Sequence, residues 1–456
     1  MIHTDSRHLA LSARSSCSAE LYDRALEQVA GYAADPFSPL DLLLAEDPEC
    51  VSAQCLRAAL GVMAGERAGL ALIRESLAQG EALADVANAR ERRHLAAARA
   101  WLDGEFHRSI DLYGRIAFDY PRDLLALQVA HVGDFYLGQQ RQLRDRLLHA
   151  LPAWDESVPG FGFLQGMLAF GLEETLLFEQ AETRGRWALE LNPKDVWAVH
   201  AVTHVFEMQG RVPEGIDWLQ SRRSDWSVDN GFAFHNHWHL ALFHLELDQP
   251  ARALSIFDQH LWPKPSAVAL EMVDAAALLW RLHLRGVELG TRASSVATSW
   301  SDPVHHGFYA FNDVHATLSL VAEGRLTEAR RRVDELERCA GDDGSNAGMS
   351  RQVGLPLARA LVAFGEGRYD AVVETLWPLR LVASAFGGSN AQRDIIEQTL
   401  AEAALRSKRP AVARALVAER RLLRPESRWA KALEERAAKL SPARAVVTGA
   451  GDVAQP

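Results

Sequence analysis

The chain has 456 residues, 48% of them apolar and 24% charged, the balance of a folded protein rather than a disordered one. Asp plus Glu outnumber Lys plus Arg, 60 to 49, and the formal charge of −11 argues against nonspecific attraction to nucleic acid or an anionic membrane. Four cysteines, Cys17, Cys50, Cys55 and Cys339, form no CxxC pair, the first twenty residues hold no apolar leader core, and no 18-residue apolar run occurs; the sequence reads as cytoplasmic.

Residues 1–19 read as an N-terminal segment, and from 20 to 440 the chain repeats itself. Tyr120-Pro121-Arg122-Asp123, followed by Gly138, recurs 72 residues later as Asn192-Pro193-Lys194-Asp195, followed by Gly210; Pro48 and Gly65 stand 73 residues earlier. Between these lie turn residues followed five positions on by a small residue: Gly104 and Ser109, Gly210 and Gly215, Asp248 and Ala253, Gly324 and Ala329. Each half-period then reads as two amphipathic helices broken by a turn, and period-2 alternation of β-branched residues is almost absent. The prediction is an all-α superhelix of antiparallel helix pairs. It is most regular over 48–260, looser over 261–330 and continues over 351–440, with Ala340–Ser350 as a flexible connector and 441–456 as a disordered tail.

A two-helix unit of about 34 residues with small residues at the helix crossing resembles the tetratricopeptide repeat. Three longer blocks are similar to the tetratricopeptide repeat protein 38 family: Gly166 with Ala169-Phe170-Gly171-Leu172-Glu173-Glu174; Ala198-Val199-His200-Ala201-Val202-Thr203-His204-Val205-Phe206-Glu207; and His235-Asn236-His237-Trp238-His239, followed by Asp274, by Leu279-Trp280-Arg281 and by Phe311-Asn312-Asp313-Val314-His315. His237 departs from the larger apolar residue that the family would place there. The resemblance implies a strongly curved helical-repeat shell around a concave pocket and no particular reaction. It also implies that the first helix of each unit lines the concave surface. In that register His200, His204, Glu207, His235, Trp238, His239, Glu173 and Glu174 face the groove, whereas His237 and His244 pack inside the repeat.

Eleven of the 17 histidines fall between His200 and His315. An even spread would put about four there, so the clustering calls for a cause. Imidazole titrates near neutrality and a neighbouring carboxylate orients it, which makes His204, His239 and Glu207 candidates for acid–base catalysis. Glu173, Glu174, His200, His235, Trp238, Asp274, Arg281 and His315 are candidate ligand-binding residues. His200, His204 and Glu207 on one helical face have the composition of a two-histidine, one-carboxylate site for a divalent transition metal, with His235 or His239 completing it. The HExxH, GxxxxGK[ST] and GxSxG signatures are absent. The expectation is a protein that takes a small-molecule or peptide-like ligand in this pocket, with or without acid–base or metal-assisted chemistry. The alternatives are a protein-interaction scaffold with no chemistry and histidines that merely pair across a polar seam. His305-His306 reads as an exposed loop, and the 11 basic and 5 acidic residues of 401–440 as a solvated outer face.

Overall fold

The computed structural model describes residues 3–407 and 409–440; the tail expected over 441–456 lies outside the described residues. A two-residue antiparallel pairing of His3–Thr4 with Ala10–Leu11 and one bridge between Ala33 and Asn230 are the β-structure among them. The remaining regular structure is helical. Eleven helix pairs follow one another, their first helices beginning at residues 16, 51, 89, 124, 161, 196, 233, 269, 310, 355 and 390, and a last helix, Arg428–Ala438, closes the series.

The two members of a pair differ in composition and therefore in depth. The first helices of the central repeats are buried nearly all round: Val196–Met208 buries every residue from Val196 to Glu207. Second helices carry one apolar stripe, as in Phe178–Leu191, which buries only Ala181, Gly185, Ala188 and Leu189. Repeating sequence marks sit at the joints. Asp123 and Asp195 are the N-caps of Leu124–Tyr136 and Val196–Met208, each side chain accepting from the backbone N–H three residues on. Gly65, Gly138 and Gly210, with φ of 61°, 65° and 69°, make the left-handed turn between partners. Five residues after Gly210, Gly215 lies so close to the next repeat that a Cβ would stand 2.3 Å from the Phe243 ring. The small residue there sets how closely the helices cross.

Curvature brings distant repeats into contact. Asn230 Nδ2 donates to Gly31 O over 199 residues of chain, Ala269 N to Glu66 Oε2 over 203, Asn390 N to Glu174 Oε1 over 216, and Arg424 Nη1 to Glu207 O over 217. Two stacked turns of superhelix therefore share one interior, and the concave faces of first helices meet one another across it. Among the described residues, no helix is long and apolar enough to cross a membrane.

Three local expectations are corrected. The segment expected as a flexible connector is built in: Ser345–Met349 is helical, Ser345 N donates to Gly104 O at 3.2 Å, and Asn346 Oδ1 accepts from Ala310 N at 2.8 Å. His305 is buried, its ring 5.6 Å from that of Trp300. The basic 401–440 stretch is not wholly a solvated face, because Arg420 turns inward to Asp394 and Glu246, at 2.9 and 3.1 Å, and Arg424 is buried beside it. Stacking of the two superhelical turns brings Ser345 to Gly104 and Arg420 to Glu246, whereas His305 is covered locally by Trp300.

Candidate functional site

Four consecutive first helices build the site: Phe161–Glu174, Val196–Met208, Ala233–Glu246 and Ala269–Leu284. Spacing of four residues puts His200 above His204 on one helix and His235 above His239 on the next. The two pairs face each other. Ring centroids lie 4.4 Å apart for His200 and His204, 4.8 Å for His235 and His239, 4.9 Å for His200 and His235, and 4.5 Å for His204 and His239. All four side chains are buried, and one ring nitrogen from each falls within 4.8 Å of the others.

Carboxyl groups stand behind three of the rings. His235 Nδ1 is hydrogen-bonded to Asp274 Oδ2 at 2.7 Å and His239 Nδ1 to Glu207 Oε2 at 2.7 Å. His204 Nδ1 lies 3.2 Å from Glu173 Oε2, off the hydrogen-bonding direction. Glu174 is otherwise engaged, accepting from Asn390 N at 2.8 Å and facing Arg393. His200 has no carboxyl partner; its ring lies against Phe170 and Trp197.

Burial dominates the electrostatics. It pushes the Glu173 carboxyl up to about 8 and, reinforced by Glu173, that of Glu174 up to about 7; Arg393 opposes both. Glu207 and Asp274 are raised by burial as well. The same burial lowers His204 to about 4 and drives His200 and His239 well below the ordinary imidazole value, helped by their mutual proximity. The neutral His204 imidazole therefore sits beside the Glu173 carboxyl, which burial disposes to keep its proton near neutral pH.

Other residues singled out in the sequence take different places. Glu207, expected as a metal ligand beside His200 and His204, reaches sideways to His239, because one further helical turn carries it toward the neighbouring helix. Trp238 is fully buried, stacked on His235 at 5.3 Å, with the Arg281 guanidinium 5.2 Å from the centre of its ring. Arg281 donates to the Ala277 and Ala391 carbonyls, at 3.1 and 2.9 Å, and burial lowers it to about 10. His315 is apart from the cluster, its Nδ1 bonded to Phe311 O at 2.8 Å. His237 and His244, expected to pack inside the repeat, are buried, but His204 and His239 are deeper still.

Beside the cluster lies a cavity of about 280 Å³, and His200 and His235 are in its wall. The rest of the lining is mostly apolar and comes from both superhelical turns: Tyr32, Leu60, Phe135 and Trp197 from the first, and Phe232 and Val268 from the second, with Gln128 and Gln392 as polar points. Gln128 Nε2 donates to the Tyr32 hydroxyl at 3.1 Å, and the Tyr32 ring stacks on Trp197 at 5.3 Å. Sequence reasoning singled out none of these residues apart from the histidines, since each is an ordinary apolar or amide residue on a first helix or in the turn beside one until closure sets it opposite its partners.

No family model matches the chain. Among solved structures the chain is similar to the crystal structure of yeast Tom70, with 14% identity over 92% of this chain and 87% of that chain and a TM-score of 0.31.

Proposed function

We propose that this helical-repeat protein, which we place with the tetratricopeptide repeat protein 38 family on the blocks quoted above, binds a small, largely apolar molecule in its interior cavity and acts on a polar group of it through the histidine–carboxyl cluster. The observation that carries this is the double membership of His200 and His235, in the cavity wall and in the cluster. An apolar cavity with few convergent polar groups is the usual form of a small-molecule site. Acid and base forms coexist in the cluster, since burial keeps a proton on Glu173 and off His204 around neutrality, the condition for general acid–base work. A scaffold role is less favoured because the concave face, where a repeat protein would seat a partner, is occupied by the chain's own second turn.

A fluorescent probe tests this reading: 2-naphthol, an apolar ring system with one hydroxyl. It is expected to bind saturably, one per chain. Val268→Trp, at an exposed position of the cavity wall, and Leu60→Trp should each weaken binding by about tenfold or more. His235→Phe should abolish the preference for 2-naphthol over naphthalene. Binding that is unsaturable, or that both tryptophan variants leave unchanged, would refute the cavity as the site.

A further inference from the structure

We propose that His200, His204, His235 and His239 together hold one divalent transition-metal ion of the imidazole-preferring kind, for which zinc is the representative. The inference goes beyond the cavity reading and does not depend on what the cavity binds; a bound ion would take the His204 lone pair that acid–base work needs, so that work belongs to the metal-free cluster.

Two histidines four residues apart on one helix cannot alone surround an ion, but here two such pairs come from neighbouring helices and face each other, which converts two half-sites into four nitrogens within 4.8 Å of one another. The second step concerns lone pairs. His239 Nε2 and both ring nitrogens of His200 and of His204 are buried and have no hydrogen-bond partner. Buried polar atoms are nearly always paired, so several orphans on three adjoining rings need an explanation, and an ion shared by the cluster would supply it.

The third step concerns orientation. Asp274 and Glu207 occupy the Nδ1 atoms of His235 and His239, at 2.7 Å each. A carboxylate on Nδ1 takes the N–H hydrogen bond, fixes the tautomer and leaves the Nε2 lone pair for a ligand, the arrangement that recurs behind metal-bound histidines. Glu173 stands 3.2 Å from His204 Nδ1 but off the hydrogen-bonding direction, so only His235 and His239 carry this arrangement. A packing role would be met by apolar side chains and would not require carboxyl groups behind the rings.

Donor type narrows the ion. Four nitrogens with no oxygen in the set exclude magnesium and calcium sites, and no cysteine belongs to the cluster, so the softest ions gain nothing here. A second grouping, Glu173, Glu174 and His204, shares His204 with the first, so one ion cannot use both. We choose the four-histidine set because Glu174 is already held by Asn390 and Arg393.

The full chain, stripped with a chelator and dialysed against zinc or cobalt, is expected to take up one ion per chain, and the cobalt form should show the visible absorption of a four-coordinate site. His204→Ala and His239→Ala should each weaken binding by about a hundredfold or more, whereas Glu207→Gln and Asp274→Asn should weaken it by about 10–100-fold. His244→Ala, outside the cluster, should leave it unchanged. Helical circular dichroism is checked for each variant, with His204→Gln in reserve, and wild-type uptake is scored alone if both lines fail to fold. No uptake by the wild type would overturn the proposal. Uptake with equal affinity in the His204 and His239 variants would also overturn it, by assigning the ion to histidines elsewhere. Loss of 2-naphthol binding with intact metal uptake would instead count against the cavity reading alone.

Discussion

Asp123→Ala is expected to destabilise the protein by about 3–5 kcal/mol, the usual result of stranding the partner of a buried charge. Asp123 is buried at the junction of two first helices. Its Oδ2 accepts from Arg90 Nη1 at 2.7 Å and meets His94 Nε2 at 2.8 Å, both from Ala89–Leu102, while Oδ1 caps Leu124–Tyr136 through Ala126 N at 2.9 Å. Burial opposes ionisation of this carboxyl, but His94 and Arg90 outweigh it and hold it well below the usual carboxylate range. Its contribution is therefore complete above the unfolded value near 4 and is lost as pH falls through the folded one. Thermal melts and hydrogen exchange across 89–136 should both register the loss. Removing both partners should be milder than removing one: Asp123→Ala with Arg90→Met should recover part of the stability. The equivalent position one period on gives the contrast. Asp195 keeps the cap to Ala198 N at 3.0 Å, has no cation near its buried Oδ2, and is pushed by burial up to about 7, so Asp195→Asn should cost less than about 1 kcal/mol. Equal melting of Asp123→Ala and Asp195→Asn would show that the Arg90–Asp123–His94 group contributes no more than a helix cap.

The difference between these two aspartates shows where the sequence is informative. Both stand in the same repeat phrase, and the phrase marks the start of a first helix in each case, because capping and the left-handed turn glycine are local requirements that a local pattern can reveal. What the aspartate meets sideways is set by packing. Only one of the two has Arg90 and His94 opposite it, and nothing within either phrase says so. The histidine cluster was legible for the same local reason: four-residue spacing on an apolar helix fixes which rings share a face. The meeting of the two faces, and the seat of Glu207 on His239, needed the neighbouring helix. The cavity was not legible at all. Gln128 and Tyr32, or Glu66 and the start of Ala269–Leu284, come together only because the superhelix returns on itself after some 200 residues, and a repeat pattern carries no mark of its own pitch.

His315→Leu should reverse its effect on stability between pH 7.5 and pH 5. Inside the protein His315 is buried, its Nδ1 donates to Phe311 O, its Nε2 has no partner, and its ring lies 4.4 Å from that of Phe311. Burial lowers its pKa to about 4, with Arg281 adding to the effect and the Phe311 carbonyl opposing it; no carboxylate is among the groups that act on it. An unfolded imidazole titrates near 6.5, so below that pH the unfolded chain takes a proton that the native state refuses, and stability drains away as pH falls from 6.5 toward 4. At pH 5 the loss is about 2 kcal/mol from this group. Other buried groups titrate across the same interval, including carboxyls such as Asp134 and Asp313 that are raised to about 7 and act in the opposite direction, so the wild-type profile alone is uninformative. The difference between wild type and variant cancels them. At pH 7.5 the leucine loses one hydrogen bond to a carbonyl, and His315→Leu should be less stable by about 1 kcal/mol. At pH 5 it should be more stable by about 1 kcal/mol, a swing of about 2 kcal/mol in denaturant midpoints scaled by a common slope. A difference that stays constant across the interval would mean that His315 takes up its proton in the native state as readily as in the unfolded one, which its surroundings have no anion to support.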